Sequence, residues 1–326
     1  MPAVTTFFYN QLIVTPTKPT DDYTSKTIIV TGSNVGLGKE AARHFTKNGA
    51  SKVILAVRSI EKGQAAKEDI LKTTKVSKDV VDVWQLDMSS YKSTLAFAAR
   101  AEKELPRLDI AVLNAGVARG TFEMAEDCES TITVNVVSTH LLALALLPKM
   151  KETAAKFNTR PTLTIVSSEV HGFTTFPQKS APEGGIFDKL NENDGKVDMG
   201  DRYQISKLLE VLVVRAWADR KGATQIPVTI NYVNPGLCQS ELAREAGLFL
   251  AVMKFFLARS TEVGSRTLVH AASQGPETHG EYLSNCTITQ PAPLVLSAEG
   301  YKLQERVWGE LSKRLEAIQP GITKNL

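Results

Sequence analysis

Tyr203 and Lys207 stand four residues apart in YQISK. On a helix that spacing puts both on one face, about one turn apart. An exposed tyrosine titrates near pH ~10, so acid–base work near neutrality requires a shift of about three units, or ~4 kcal/mol. A nearby ammonium contributes about 1 kcal/mol in bulk water and ~4 kcal/mol at an effective dielectric of about 20. The pair can therefore move a proton only inside a sheltered site, and Y-x-x-x-K alone is a cheap coincidence. Ser168 ends the apolar run TLTIVSS (162–168). A hydroxyl at a sheet end reaches a ligand and can donate to a carbonyl oxygen that gains charge. Strand alternation turns Ser167 to the opposite face. Asn135 sits in VNVV, a β-branched patch that disfavours the helix around it. A buried asparagine satisfied by backbone is the plainer alternative there.

A second group of residues suits an anion. Gly32, Ser33, Asn34, Gly36, Leu37 and Gly38 follow the run TIIVT (27–31) and precede a helical pattern. One glycine allows the tight turn, one lets backbone approach a pyrophosphate, and one permits close helix packing. The helix N-terminus then offers unpaired N–H groups to phosphate. Glycines also end strands for ordinary reasons, so placement after the first strand of a βαβ series carries the argument. The second run ends at Arg58, where a basic residue accommodates a ribose 2′-phosphate and an acidic one would bond a 2′-hydroxyl. NADP is thereby favoured over NAD, unless Arg58 is merely a solvated surface residue.

The elements that must hold these residues are legible as a series. TIIVTG (27–32), KVILAV (52–57), VVDVWQL (80–86), DIAVLN (109–114), TLTIVSS (162–168) and VTINYVN (228–234) read as buried strands. Helical patterns fall at 37–48, 61–73, 91–104, about 123–150, and 201–221, with Gly49 closing the first. The alternation predicts an α/β, single-domain Rossmann fold: a doubly wound parallel sheet of about seven strands with helices on both faces. Residues 1–26 read as an N-terminal extension that Pro16 and Pro19 make extended, and 27–326 as the catalytic domain.

The ordered set of motifs resembles the short-chain dehydrogenase/reductase superfamily. T-G-x-x-x-G-x-G (31–38) is similar to that family's cofactor turn. Asp87, Asn114-Ala115-Gly116, Asn135, Ser168, Tyr203-x-x-x-Lys207 and Pro235-Gly236 follow in the family's order, over about residues 27–240. The resemblance implies NADP(H)-dependent hydride transfer between nicotinamide C4 and a carbonyl or carbinol carbon. Tyr203 would donate the proton in reduction, Ser168 polarise the oxygen, Lys207 lower the tyrosine pKa and bind the nicotinamide ribose, and Asn135 hold a relay water. Asp87 would lie near the adenine, or simply cap the turn before Ser89. Asn114, Ala115, Gly116, Pro235 and Gly236 would line the groove.

Two stretches depart from the compact members. The interval between Ser168 and Tyr203 carries an insert at about 169–200, similar to the retinol-dehydrogenase-like and fungal secondary-metabolism branches. His171, with Phe173 and Phe176, either walls the substrate side or belongs to a packed surface loop. After Gly236 a lid is expected at about 237–262. Its Leu242, Leu248, Phe249, Phe255 and Phe256 suggest a small apolar ketone or alcohol, though LFLAVMKFFLA (248–258) also suits a dimer contact or a peripheral membrane face.

Composition closes off other classes. The formal charge is +3, with no block of like charges, so nucleic acid is not expected. Cys128, Cys238 and Cys286 lie far apart, and the histidines lack ligand spacing, so no metal is expected and a reducing, cytoplasmic setting fits. No signal sequence is read at the N-terminus, and no apolar run reaches the ~20 residues of a membrane span. The subunit would act as a homodimer or monomer. A cofactor-binding regulator on the same fold is the competing reading; it would have no need of Asn135, Ser168, Tyr203 and Lys207 together.

Overall fold

The computed structural model describes residues 3–195, 197–239, 242 and 257–326. Strands β1 (Thr27–Thr31), β2 (Lys52–Val57), β3 (Val81–Gln85), β4 (Ile110–Leu113), β5 (Thr162–Val166), β6 (Thr229–Asn234), β7 (Tyr282–Ser284) and β8 (Thr287–Thr289) form one sheet. Their spatial order is β8-β7-β6-β5-β4-β1-β2-β3. Every neighbouring pair is parallel except β7–β8. The chain reverses its winding between β1 and β4, the switch point where such sheets bind ligands.

The apolar runs alternate faces as a strand must. Ile28 and Val30 enter one core with Phe45 and Leu268, while Ile29 enters the other with Leu142, Leu209 and Trp217. Helices α2 (Gly36–Lys47) and α3 (Ile60–Thr74) cover the first face, and α4 (Tyr91–Glu104) the second. The long segment α5 (Thr139–Phe157) follows a π-helix at Thr133–Ser138. The β-branched patch around Asn135 is accommodated there by an extra residue in the turn. The expected start of this helix at about 123 gives way to a two-stranded turn, Met124–Ala125 against Cys128–Glu129. The continuous helix Ser130–Phe157 is long and apolar enough to cross a membrane, but its apolar stretch is almost wholly buried as the core helix.

The insert folds into helix α6 (Ile186–Asn191) and short turns, followed by α7 (Met199–Arg220). Two further helices are α8 (Thr261–Ala272) and α9 (Ala298–Ile318). The insert is anchored on α9. Glu310 accepts from Gly184 N and Ile186 N, and Arg306 donates to the carbonyls of Lys179, Ala181 and Pro182. The N-terminal lead differs from expectation, because Ala3–Leu12 form a helix, α1, before the proline-bearing stretch.

Candidate functional site

Thr31 ties the two strands at the switch point. Its hydroxyl oxygen accepts from Asn114 N and Ala115 N, both at 2.9 Å. Asn114 Nδ2 donates back to the carbonyls of Thr31 (2.9 Å) and Gly32 (3.3 Å). The turn is tight enough to exclude side chains. A Cβ on Gly38 would lie 2.6 Å from the Gly32 carbonyl oxygen, and Gly32 itself has φ +65°. Gly36 has φ +63° and open space where a side chain would be. Leu37 packs toward Gly264 of α8, Ser33 Oγ is buried and donates to Val30 O, and Asn34 is half-buried.

Helix α2 starts beside this open space. Its N-cap Val35 makes no side-chain cap, and its first turn holds no acidic residue. The adjacent α3 is finished differently, with Ser59 accepting from Lys62 N. Bare N–H groups, positive helix potential and a glycine cradle fit a pyrophosphate. Arg58 is exposed just beyond β2. Asp87 takes up its local alternative at one oxygen: Oδ1 accepts from Ser89 N (3.0 Å) and Ser89 Oγ (2.6 Å).

The other side of the crevice is set by β5 and α7. Ser168 follows β5 in an extended conformation; its hydroxyl oxygen accepts from Val170 N at 3.4 Å and stands beside Tyr203. Ser167 turns the other way, donating to Lys207 O at 3.3 Å. Tyr203 and Lys207 share one face of α7, with the ammonium 5.6 Å from the tyrosine ring centre. Lys207 is 4% exposed and donates to Val166 O at 2.9 Å and Glu210 Oε1 at 2.8 Å. Gly116 opens onto the same group, since a Cβ there would lie 3.8 Å from Lys207 Nζ and 3.2 Å from Asn135 Oδ1. The structure thus brings Asn135, Ser168, Tyr203, Lys207 and Gly116 together.

Two local environments bear on the sequence expectation. Burial raises the Tyr203 phenol above its ordinary value; Lys207 and Ser168 lower it, and the Glu210 charge opposes them. The expected help comes from Lys207 inside a sheltered site and from the positive ring of the oxidised cofactor; the opposing Glu210 charge was not foreseen. Asn135 is fully buried and its amide is engaged. Nδ2 donates to Val117 O and Ser206 Oγ, and Oδ1 accepts from Val117 N, each at 2.9 Å.

The residues expected to wall the substrate side divide. His171 is buried with both ring nitrogens committed, Nδ1 to Ser168 O (2.7 Å) and Nε2 accepting from Ala292 N (2.9 Å). Its edge meets the Tyr282 ring, so it braces the strand end rather than presenting a polar group to a substrate. Phe176 lies in the core, whereas Phe173 is 58% exposed. Leu242 is half-buried. Phe249, Leu248, Phe255 and Phe256, with most of the expected lid, lie outside the described residues.

Sequence reasoning missed how the Pro235-Gly236 turn is held. Gln11 Nε2 donates to Leu237 O (2.6 Å) and Leu257 O (2.7 Å), and its Oε1 accepts from Leu237 N (3.1 Å). Arg259, 8% exposed, donates to Pro235 O, Val14 O and Asn285 Oδ1, and also to Asn10 O. Gly236, with φ +77°, leaves room for both side chains. No local pattern near Gln11 or Arg259 signals these long-range contacts.

A short chain dehydrogenase/reductase of Cryptosporiopsis sp., dmxR8, is 59% identical over 323 residues, covering 98% of this chain and 99% of its own. The chain belongs to the short chain dehydrogenase/reductase family. It is an oxidoreductase of that family, whose members use nicotinamide cofactors. The family model for short chain dehydrogenase matches residues 26–174. A second fungal member, the short chain dehydrogenase atnD of Emericella nidulans, is 45% identical over 285 residues, covering 85% of this chain and 89% of its own. The fold matches solved structures of low identity. A protein from Mycobacterium paratuberculosis has a TM-score of 0.68 at 22% identity, covering 90% of this chain and 95% of its own. A chain described as a short chain dehydrogenase of Shigella flexneri, complexed with NADP, has a TM-score of 0.58 at 20% identity, covering 82% of this chain and all of its own.

Proposed function

We propose that this family member is an NADP-dependent enzyme acting on the carbonyl or alcohol group of an apolar small molecule. The observation that carries the reading is the Tyr203–Lys207 pair on one face of α7, with Ser168 beside the phenol and the glycine turn left open at the start of α2. The nicotinamide supplies the hydride chemistry; the chain supplies position, charge and the proton. Gly32, Ser33, Asn34, Gly36, Leu37 and Gly38 present the turn to the pyrophosphate, and Arg58 meets the ribose 2′-phosphate. Asp87, Asn114, Ala115, Gly116, Pro235 and Gly236 border the groove. Ser168 donates to the substrate oxygen, and Tyr203 donates the proton that the oxygen takes in reduction. Lys207 holds a positive charge beside the phenol and within reach of the nicotinamide ribose. With the Asn135 amide committed, a relay water would be held by its main chain.

Phe173, Leu242 and Phe249 are the candidates for the substrate side. The fungal relatives accord with a role in secondary metabolism, and the apolar side chains of these candidates with an apolar substrate. The thiols Cys128, Cys238 and Cys286, not bridged to one another, accord with a cytoplasmic protein. The test is NADPH consumption with a panel of apolar ketones and aldehydes, followed by absorbance. Turnover of some carbonyl with NADPH preferred over NADH is expected. A fluorescence change on NADPH binding with no consumption across the panel would favour the regulator instead.

A further inference from the structure

Lys207 has a partner that the tyrosine–lysine pattern does not call for. Glu210 lies three residues further along α7, is 2% exposed, and accepts from the ammonium at 2.8 Å. A carboxylate taken this far out of water keeps its charge only beside a cation. Burial raises the Glu210 carboxyl above its ordinary range, and Lys207 opposes this only in part. The groups facing the pair come from three elements. Ser167, following β5, stands beside the carboxylate and donates to the Lys207 carbonyl. His140 on α5 faces Lys207 and is held neutral by burial, with Nδ1 on Val136 O at 2.7 Å. Tyr203 shares α7 with the pair.

We propose that Glu210 is a positioning residue for proton transfer: as the buried counter-ion of Lys207 it anchors the ammonium and offsets part of its field at Tyr203. This rests on the proton-transfer role given to Tyr203 above. The counter-ion leaves the reaction equilibrium untouched and sets the pH at which each direction runs. Carbonyl reduction, which needs the O–H as donor, falls away above the pH at which the phenol ionises. Alcohol oxidation, which needs the phenolate, rises through the same pH.

The experiment compares pH profiles of kcat in both directions for wild type, Glu210→Gln, Glu210→Asn and Glu210→Asp. Removing the negative charge leaves the Lys207 field unopposed. The alkaline limb of reduction and the rising limb of oxidation should then both move to lower pH, by about one unit or more. Glu210→Asp, which keeps the charge, should return them toward wild type. A fall in kcat at every pH with the limbs unmoved would overturn the proposal. A second readout needs no turnover. The Tyr203 phenolate absorbance, taken as each protein minus its Tyr203→Phe counterpart through a pH titration, should appear at lower pH in Glu210→Gln than in wild type and return toward wild type in Glu210→Asp. Coincident titrations in all three would overturn the proposal. If no carbonyl is turned over, this titration still decides on Glu210, so the two ideas fail separately.

Discussion

The two walls of the crevice are finished in opposite ways. On the nucleotide side the chain leaves backbone groups bare: α2 begins without a side-chain cap, beside glycines whose missing side chains keep the space open. On the proton-transfer side the polar side chains are held. The Asn135 amide is bonded at both ends, Lys207 is bonded to a carbonyl and a carboxylate, and both His171 nitrogens are taken. An anion is bound by N–H groups already aimed at it, which need no charge of their own. A proton donor needs its neighbouring charges fixed in place, because a small displacement changes the field it feels.

Substitutions on the two walls should therefore fail differently. On the proton-transfer wall, Ser168→Ala removes one donor to the reacting oxygen. Turnover should fall by about 10²–10³-fold, while the dissociation constant for NADPH, measured by fluorescence titration, stays near wild type. Equal losses in both quantities would mean that Ser168 serves binding instead.

On the nucleotide wall, Gly38→Ala drives a methyl group against the Gly32 carbonyl oxygen and the Asn114 amide. NADPH affinity should fall by about tenfold or more, a difference of ~1.4 kcal/mol. Thermal stability should fall with it, because the turn also joins β1 to β4. Affinity and melting temperature both at wild-type levels would show that the turn has slack which the geometry denies.

The smallest expected effect belongs to Arg58→Asp, since the residue is exposed and the charge contact is partly screened. The ratio of kcat/KM for NADPH to that for NADH should drop by about tenfold, from loss of phosphate pairing and gain of a 2′-hydroxyl acceptor. An unmoved ratio would return Arg58 to the ordinary surface.

The difference between the walls also explains what could be read from sequence. The glycine turn, the six strand runs and the four-residue spacing of Tyr203 and Lys207 are local signals, and the helices they imply run close to the observed bounds, as with Tyr91–Glu104. β7 and β8 were missed because three residues each carry too little periodicity. Glu210 was within reach, because a charge three residues from Lys207 on a helix is a neighbour, but its burial depends on β5 and α5 closing over it. Gln11 and Arg259 were beyond reach. Gln11 lies more than two hundred residues from Leu237 and Leu257, and Arg259 as far from Asn10 and Val14, while Pro16 and Pro19 pointed to an extended lead where α1 forms. His171 and Phe176 carried the chemistry of a substrate wall, and tertiary packing gave them a supporting place instead.

The central claim is that Tyr203 moves the proton, held between Ser168 and the Lys207–Glu210 pair. Its most direct test is steady-state turnover of Tyr203→Phe with NADPH and a carbonyl that the wild type reduces, alongside NADPH titration of the same protein. The account predicts that kcat falls by at least ~10²-fold, the usual size of a lost acid–base group, with NADPH still bound at near wild-type affinity. Unchanged turnover in a folded, NADPH-binding Tyr203→Phe protein would contradict it.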